Sequence, residues 1–416
     1  MKIVEMPPYY WPEQISSTHL TADLTEEFIN RGYLIENYVP VPCRGISEET
    51  RKKYSKILYE EKYDGKLKIF RFRMWKEGRN PVMRAFRYFI SNVIQAKKGL
   101  KAKNVDIIIG GSTPPVQGLL CGLVAKKLSK KNNKKVPFLY LLQDVFPDSL
   151  VTTGLAKKDG FLWKIGRIVE NKVYNNADKI IVISESIKQN IMNKGVSADK
   201  IAVISNWINC DEVKPISKEN NSLYIEYSIN PELFTVCYAG NLGAAQGTNI
   251  IFEVAELLAD VPNIHFVIFG RGRDYNTLKE KISENNSQNI TLFPTLGQDR
   301  ISEVYSLGDL NLITCKKGVG KTALPSKLWT IMACNSRIVA SYDLDSDLSK
   351  IIMDNDYGVC VEPENSKALA KAIYNEYNMG KVVTNSRNYV LKYASKEVCV
   401  EKYIQEIDKL VGEECK

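Results

Sequence analysis

What most constrains this chain is a repeated alternation. Apolar runs of four to six residues are each followed by a turn and then a helical stretch. "KIVEM" leads through the loop "YYWPEQISS" into "STHLTADLTEEFINRG", whose apolar residues recur every three or four positions. "VDIIIGGS" precedes the helical "VQGLLCGLVAKKL", and "PFLYLLQD", "KIIVIS" and "KIAVISNW" read as further buried strands. Strands of this kind alternating with helices predict a parallel sheet covered on both faces. The pattern breaks at 209–232, a polar stretch with two prolines that reads as a linker. It then resumes with "FTVCYAGNLGAAQG", "HFVIFGRGRD", "ITLFPTLG", "LNLITCKK", "SRIVASYD" and "GVCVEPEN". A chain of 416 residues exceeds one ordinary core. The expectation is α/β: two doubly wound Rossmann-like domains facing each other across a cleft, with ligands at the carboxyl ends of the strands.

One stretch tests what those ends hold. "CKKGVGKTALPSKLW", Cys315 to Trp329, contains "GVGKT", the end of a phosphate-binding P-loop. The full motif needs a glycine where Cys315 stands. Pro325 also falls where a P-loop helix would already be running, and proline has no N–H to give it. The spacing instead starts a helix at Pro325, a residue suited to the first helical position. Ser326 and Lys327 then lie in the first turn, beside free N–H groups that favour an anion. A phosphate site is expected here, and ATP hydrolysis is not.

Three more loops follow strands of the second set: "AGNLGAAQG", "FGRGRD" and "FPTLGQD". Glycine there lets backbone approach a ligand closely. With the cations Arg271, Arg273, Lys321 and Lys327 they suit a nucleotide diphosphate; the bland alternative is tight turns only.

Composition narrows the chemistry. Nine cysteines without a Cys-x-x-Cys pair suggest reduced thiols in a cytosol. Two histidines, His19 and His265, are too few for a multi-histidine metal centre. "DLDSDLSK" at 343–350 lacks the glycine and the final glutamate of a calcium loop, so Ser346 or Asp347 is expected to cap a helix. The start reads as a strand, not a signal peptide, and no apolar run of about 18 residues is long enough to span a membrane. The net charge is +9, and the window 71–103 holds ten Lys or Arg against one acid, Glu77. Trp75, Phe86 and Phe89 lie among them. Such a mixture suits an anionic membrane surface; the alternative is a solvated helix packed on its own domain. No nucleic-acid motif accompanies the patch.

Taken together, "YYWPEQISSTHLTADLTEEFINRG", "LLQDVFPDSLVTTG", "YAGNLGAAQG", "FGRGRD" and "ALPSKLWTIMA" resemble segments of bacterial family 4 glycosyltransferases of the GT-B fold. The resemblance covers nearly the whole chain and is greatest to the WbuB-like branch that builds surface polysaccharides. It implies an acceptor-side domain at 1–210, a nucleotide-sugar domain at 211–392, and a final helix near 393–416 returning to the first. It also implies retaining transfer of a sugar, an N-acetylated or 6-deoxy amino sugar, from a UDP-sugar to a lipid-linked saccharide (on undecaprenyl diphosphate) in O-antigen or capsule synthesis. No metal or other cofactor is implied, and the protein would work from the cytoplasm, attached peripherally to the inner membrane face. On the donor side the matching positions are Asn241, Gln246, Arg271, Arg273, Thr295, Leu296, Thr322, Pro325, Ser326 and Lys327. Glu13, His19 and Asp144 are candidates to position sugar or acceptor hydroxyls in catalysis. The wider family has glutamates where Thr322 and Thr330 stand, a lysine at Gln246 and often an arginine at Asn241. Those departures throw more of the diphosphate onto Lys327. They also keep two rivals open: a nucleotide-sugar 2-epimerase and a non-catalytic nucleotide-sugar binder.

Overall fold

The computed structural model describes residues 1–13, 18–78, 80–152, 156–320, 322, 324–380 and 382–412. Two compact units divide the chain: Met1–Val151, Ala156–Ile204 and Val400–Lys416 in one, Ser205–Cys399 in the other. The division at Ile204 lies a few residues before the linker that the sequence suggests.

The first unit is built on β1 (Lys2–Glu5), β2 (Leu34–Pro40), β3 (Tyr59–Lys62), β4 (Leu67–Phe72), β5 (Ile107–Gly111), β6 (Phe138–Leu142), β7 (Lys179–Val182) and β8 (Ile201–Val203). Their order is β3-β4-β2-β1-β5-β6-β7-β8. All neighbours are parallel except β3, which forms an antiparallel edge with β4. The chain reverses direction across the sheet between β1 and β5, which is a topological switch point. The crossovers β4→β5, β5→β6 and β6→β7 run the same way. Right-handed connection therefore puts their helices, Pro81–Gly99, Val116–Asn132 and Phe161–Asn176, on one face. Val116–Asn132 packs between the other two. The last helix, Lys396–Gly412, reaches this unit from Val400 on, where Glu401 pairs with Arg31 at 2.5 Å and Glu406 with Lys179 at 3.1 Å.

The second unit has β9 (Phe234–Asn241), β10 (Ile264–Arg271), β11 (Ile290–Pro294), β12 (Leu310–Thr314), β13 (Arg337–Ser341) and β14 (Gly358–Val361), all parallel in the order β11-β10-β9-β12-β13-β14. Its switch point lies between β9 and β12. β12 and β13 are buried along their whole length, as continuous apolar runs on both-face-covered strands must be. Ile251, Phe266 and Ile268 join Leu310 of β12 and Val339 of β13 in one core.

The expected linker is a correction. Within 209–232, the helix Leu223–Glu226 buries Leu223 and Tyr224 against the second unit. The Tyr224 hydroxyl donates to the Leu307 carbonyl at 2.6 Å, and Lys218 pairs with Asp309 at 2.8 Å. The surrounding charges hide these two buried side chains from a reading by polarity. Among the described residues no helix is long and apolar enough to cross a membrane.

Candidate functional site: the nucleotide end of the second sheet

The GVGKT stretch does not cradle phosphate. Asp343, buried at the end of β13, takes the Gly318 N–H at 2.9 Å and the Gly320 N–H at 2.8 Å on its carboxylate. Glu364 accepts the Lys317 N–H at 3.3 Å. A loop whose amide groups already face carboxylates repels an anion. Gly318, at φ 86°, makes the turn, and a Cβ on Gly320 would lie 2.6 Å from the Tyr342 ring. Thr322 is buried, and its hydroxyl donates to the Val319 carbonyl at 3.1 Å instead of facing a ligand. Lys321 lies outside the described residues. Asp343 is thus a structural residue that sequence reading assigned only to a weak metal pattern. Its position at the carboxyl end of the strand beside β12 was the available signal. Asp343→Ala is expected to lower stability by about 2–4 kcal/mol, since charge-assisted bonds are lost and buried N–H groups stay unpaired. A denaturant melt checks it.

The helix begins at Lys327, two residues later than the sequence predicts, and ends at Ala333. Ser326 is its exposed N-cap and makes no side-chain cap bond; Pro325 precedes it, half-buried. Lys327 is therefore the first helical residue. Its stem is partly accessible, but its Nζ is enclosed and has no hydrogen-bond partner among the described residues. The nitrogen stands over the Tyr238 ring, 4.0 Å from its centroid. Gly240, at φ 136° near the end of β9, makes room: a Cβ there would fall 2.9 Å from Nζ. Desolvation lowers the Lys327 pKa to about 7, with Cys237 nearby as a minor opposing influence. A buried amine without a counter-charge is costly to keep unless something anionic completes it. It sits at the switch point, between the ends of β9 and β12.

The neighbouring loops frame the same place. Asn241 is exposed, and its side-chain amide donates to the Gln246 side chain at 3.0 Å. Leu242 N donates to the Arg271 carbonyl at 2.7 Å, and Lys316 N to the Ala245 carbonyl at 2.9 Å, so three loops are laced together. Gly272 (φ 142°) lies so near Leu242 that a Cβ would come within 2.5 Å of its carbonyl oxygen. Arg271 is exposed and in register with Asn241. Arg273 is also exposed, but pairs with Asp274 at 2.7 Å. Thr295 and Leu296 are half-buried beyond β11, two strands from Lys327. His265 is structural: its Nε2 meets the Thr291 hydroxyl at 2.9 Å, and burial lowers its pKa. Ser346 caps Asp347–Asp354 by accepting the Ser349 N–H.

In the first unit the three candidates differ. Glu13 is buried, and its carboxylate accepts N–H groups from Cys43 (2.8 Å), Arg44 (3.0 Å) and Tyr10 (3.1 Å). Burial raises its pKa against the pull of those bonds. Glu13 thereby ties its own loop to the one that holds Cys43 and Arg44. His19 is half-buried on the second residue of Thr18–Asn30. Asp144 is exposed beyond β6, and its N–H donates to Ser112 Oγ at 3.2 Å.

Comparison with known proteins agrees with this architecture. Residues 21–212 match Glycosyltransferase Family 4, and residues 225–396 match Glycosyl transferases group 1. The chain belongs to the family 4 glycosyltransferases. A relative named as the colanic acid biosynthesis glycosyl transferase WcaI of Escherichia coli K12 is 24% identical over 98% of this chain and 100% of its own. WbjE of Pseudomonas aeruginosa, named as a glycosyltransferase, is 24% identical over 82% of each chain. Among solved structures, sucrose-phosphate synthase of Thermosynechococcus elongatus superposes with a TM-score of 0.74 at 15% identity, over 99% of both chains. HepE of Anabaena, in complex with UDP-glucose, gives 0.69 at 15% identity over 98% of this chain and 100% of its own. This glycosyltransferase therefore has the GT-B fold.

Proposed function

We propose that this glycosyltransferase moves a sugar from a UDP-sugar to a lipid-linked saccharide in surface polysaccharide synthesis, with retention at the anomeric carbon. The single observation that carries the reading is the Lys327 ammonium, enclosed and unpaired at the switch point. A diphosphate supplies the missing counter-charge. HepE, of the same fold, is known with UDP-glucose, and WcaI is named for colanic acid biosynthesis. A further relative, of Streptococcus pneumoniae, is named as an alpha-galactosylglucosyldiacylglycerol synthase, which favours a lipid-borne acceptor.

In this reading Lys327 neutralises the leaving diphosphate while Gly240 and Gly272 let backbone close on it. The leaving phosphate takes the acceptor's proton on the front face, and the protein supplies orientation and electrostatics. Asp144 and His19 orient hydroxyls. The preferred sugar is an N-acetylated or 6-deoxy amino sugar. Incubation with UDP-sugars and undecaprenyl-diphosphate saccharides tests the reading. Transfer gives UDP and a longer lipid product; a changed sugar nucleotide without lipid would mean an epimerase, and neither product a binder.

We also expect activity to persist in EDTA. Among the described residues no three His, Cys, Asp or Glu side chains converge to hold a metal ion. Loss of turnover restored by Mg²⁺ or Mn²⁺ would overturn the metal-independent mechanism.

A further inference from the structure

The helix Phe161–Asn176 carries an exposed apolar stripe that charge counting does not reveal. Phe161 is 77% exposed, Leu162 60%, Ile165 44% and Ile168 57%. These positions run i, i+1, i+4, i+7. The helix Pro81–Gly99 exposes Val82, Met83, Phe86 and Phe89 at the same spacing, starting two residues after its N-cap Asn80. Both helices begin at the carboxyl edge of the first sheet and share one face of it, with Val116–Asn132 between them. Gly166 fixes the rotation of the later helix: a Cβ there would come 2.6 Å from Pro147, so that side packs inward and the stripe points out.

Charge identifies the occupant. Lys157, Lys158, Lys164 and Lys172 are exposed around the stripe. Of the two acids in 157–172, Glu170 is buried and paired with Arg167 and Lys194, leaving Asp159 alone at the surface. Apolar side chains rimmed by lysine suit insertion among anionic lipid headgroups. By contrast, the 71–103 window supplies fewer surface cations than its composition suggests. Arg71 is buried against Glu60 at 2.7 Å, and Arg87 is buried, donating to the Trp75 carbonyl at 2.9 Å. Arg84 pairs with Glu77 at 2.8 Å, and Lys76 pairs with Glu48.

We infer that the first unit docks on an anionic bilayer through two helices, with Phe161, Leu162, Ile165 and Ile168 inserting alongside Val82, Met83, Phe86 and Phe89. The inference rests on the lipid-linked acceptor of the proposed function, but its readout needs no turnover, so the two fail separately.

The test is flotation of the full chain with phosphatidylglycerol and phosphatidylcholine vesicles. The parent is expected to float with the former and, at lower yield, in 1 M NaCl, because insertion survives screening. Phe161→Ser/Leu162→Ser/Ile165→Ser should partition at least tenfold more weakly and lose the salt-resistant part, with UDP binding by thermal shift unchanged. Met83→Ser/Phe86→Ser/Phe89→Ser should do the same, and the combination should not float. If the triple variant fails to fold, single Phe161→Ser is expected to weaken partition at least threefold. Parental flotation of the Phe161 variants overturns the inference. So does a parent that ignores vesicles but dimerises through this stripe.

Discussion

Replacing Lys327 by methionine is expected to stabilise the ligand-free protein and, at the same time, nearly abolish its affinity for UDP. The two effects share one cause. In the free protein the amine is enclosed over Tyr238 without a partner, and desolvation lowers its pKa to about 7. In the unfolded chain the same amine titrates near the ordinary lysine value. The folded state therefore binds fewer protons than the unfolded state between about pH 7 and 10.5. Stability from this group rises with pH across that window, and the full cost is present below it. Methionine keeps the apolar stem in place and removes that cost. When UDP binds, the ammonium is needed, and losing charge-assisted contacts to a desolvated diphosphate costs about 3 kcal/mol, or on the order of a hundredfold in Kd. Thermal melts at pH 7 with and without UDP check both halves. A variant that melts lower than the parent without ligand, or that binds UDP as well, would show that Lys327 is an ordinary packing residue. The pattern is the usual one for a binding residue held at a stability cost.

The repeated strands were legible because parallel strands covered on both faces must be apolar throughout, and "LNLIT" and "RIVAS" have no other reading. The helix after Pro325 was legible in kind, but its start was displaced by two residues, because Ser326 rather than Leu324 serves as its cap. Contacts between distant segments were not legible. Tyr238 meets Lys327 only because β9 and β12 are adjacent, and Asp343 meets Gly318 only because β12 and β13 are. Residue type also misleads: Arg71 and Arg87 count as surface charge by composition, yet both are buried and spend their guanidinium groups on the Glu60 carboxylate and the Trp11 and Trp75 carbonyls. Glu13 was placed correctly in the loop after β1, but its three N–H partners come largely from Cys43 and Arg44, some thirty residues on. The second apolar stripe could have been read, since "FLWKI" and "VMRAF" share their spacing. A neighbouring excess of cations marks only one of them.

The enclosed Lys327 also makes UDP binding a proton-coupled event. With a free-state pKa of about 7, the amine is largely neutral at pH 8.5 in the empty protein. A bound diphosphate raises that pKa toward or beyond the normal lysine value, since an adjacent anion favours the charged form. Binding at pH 8.5 must then take up close to one proton, and at pH 6 almost none. The affinity is expected to be nearly flat below pH 7 and to fall by up to tenfold for each further pH unit, about fiftyfold between pH 7 and 9. Titration calorimetry in buffers of different ionisation enthalpy measures the proton count directly. The Lys327→Met protein controls for other groups: its residual binding should show no such uptake. If the parent binds UDP with equal affinity at pH 7 and 9 and takes up no proton, the amine is already charged in the empty site. The absence of a partner around its nitrogen would then not be what draws the diphosphate to it.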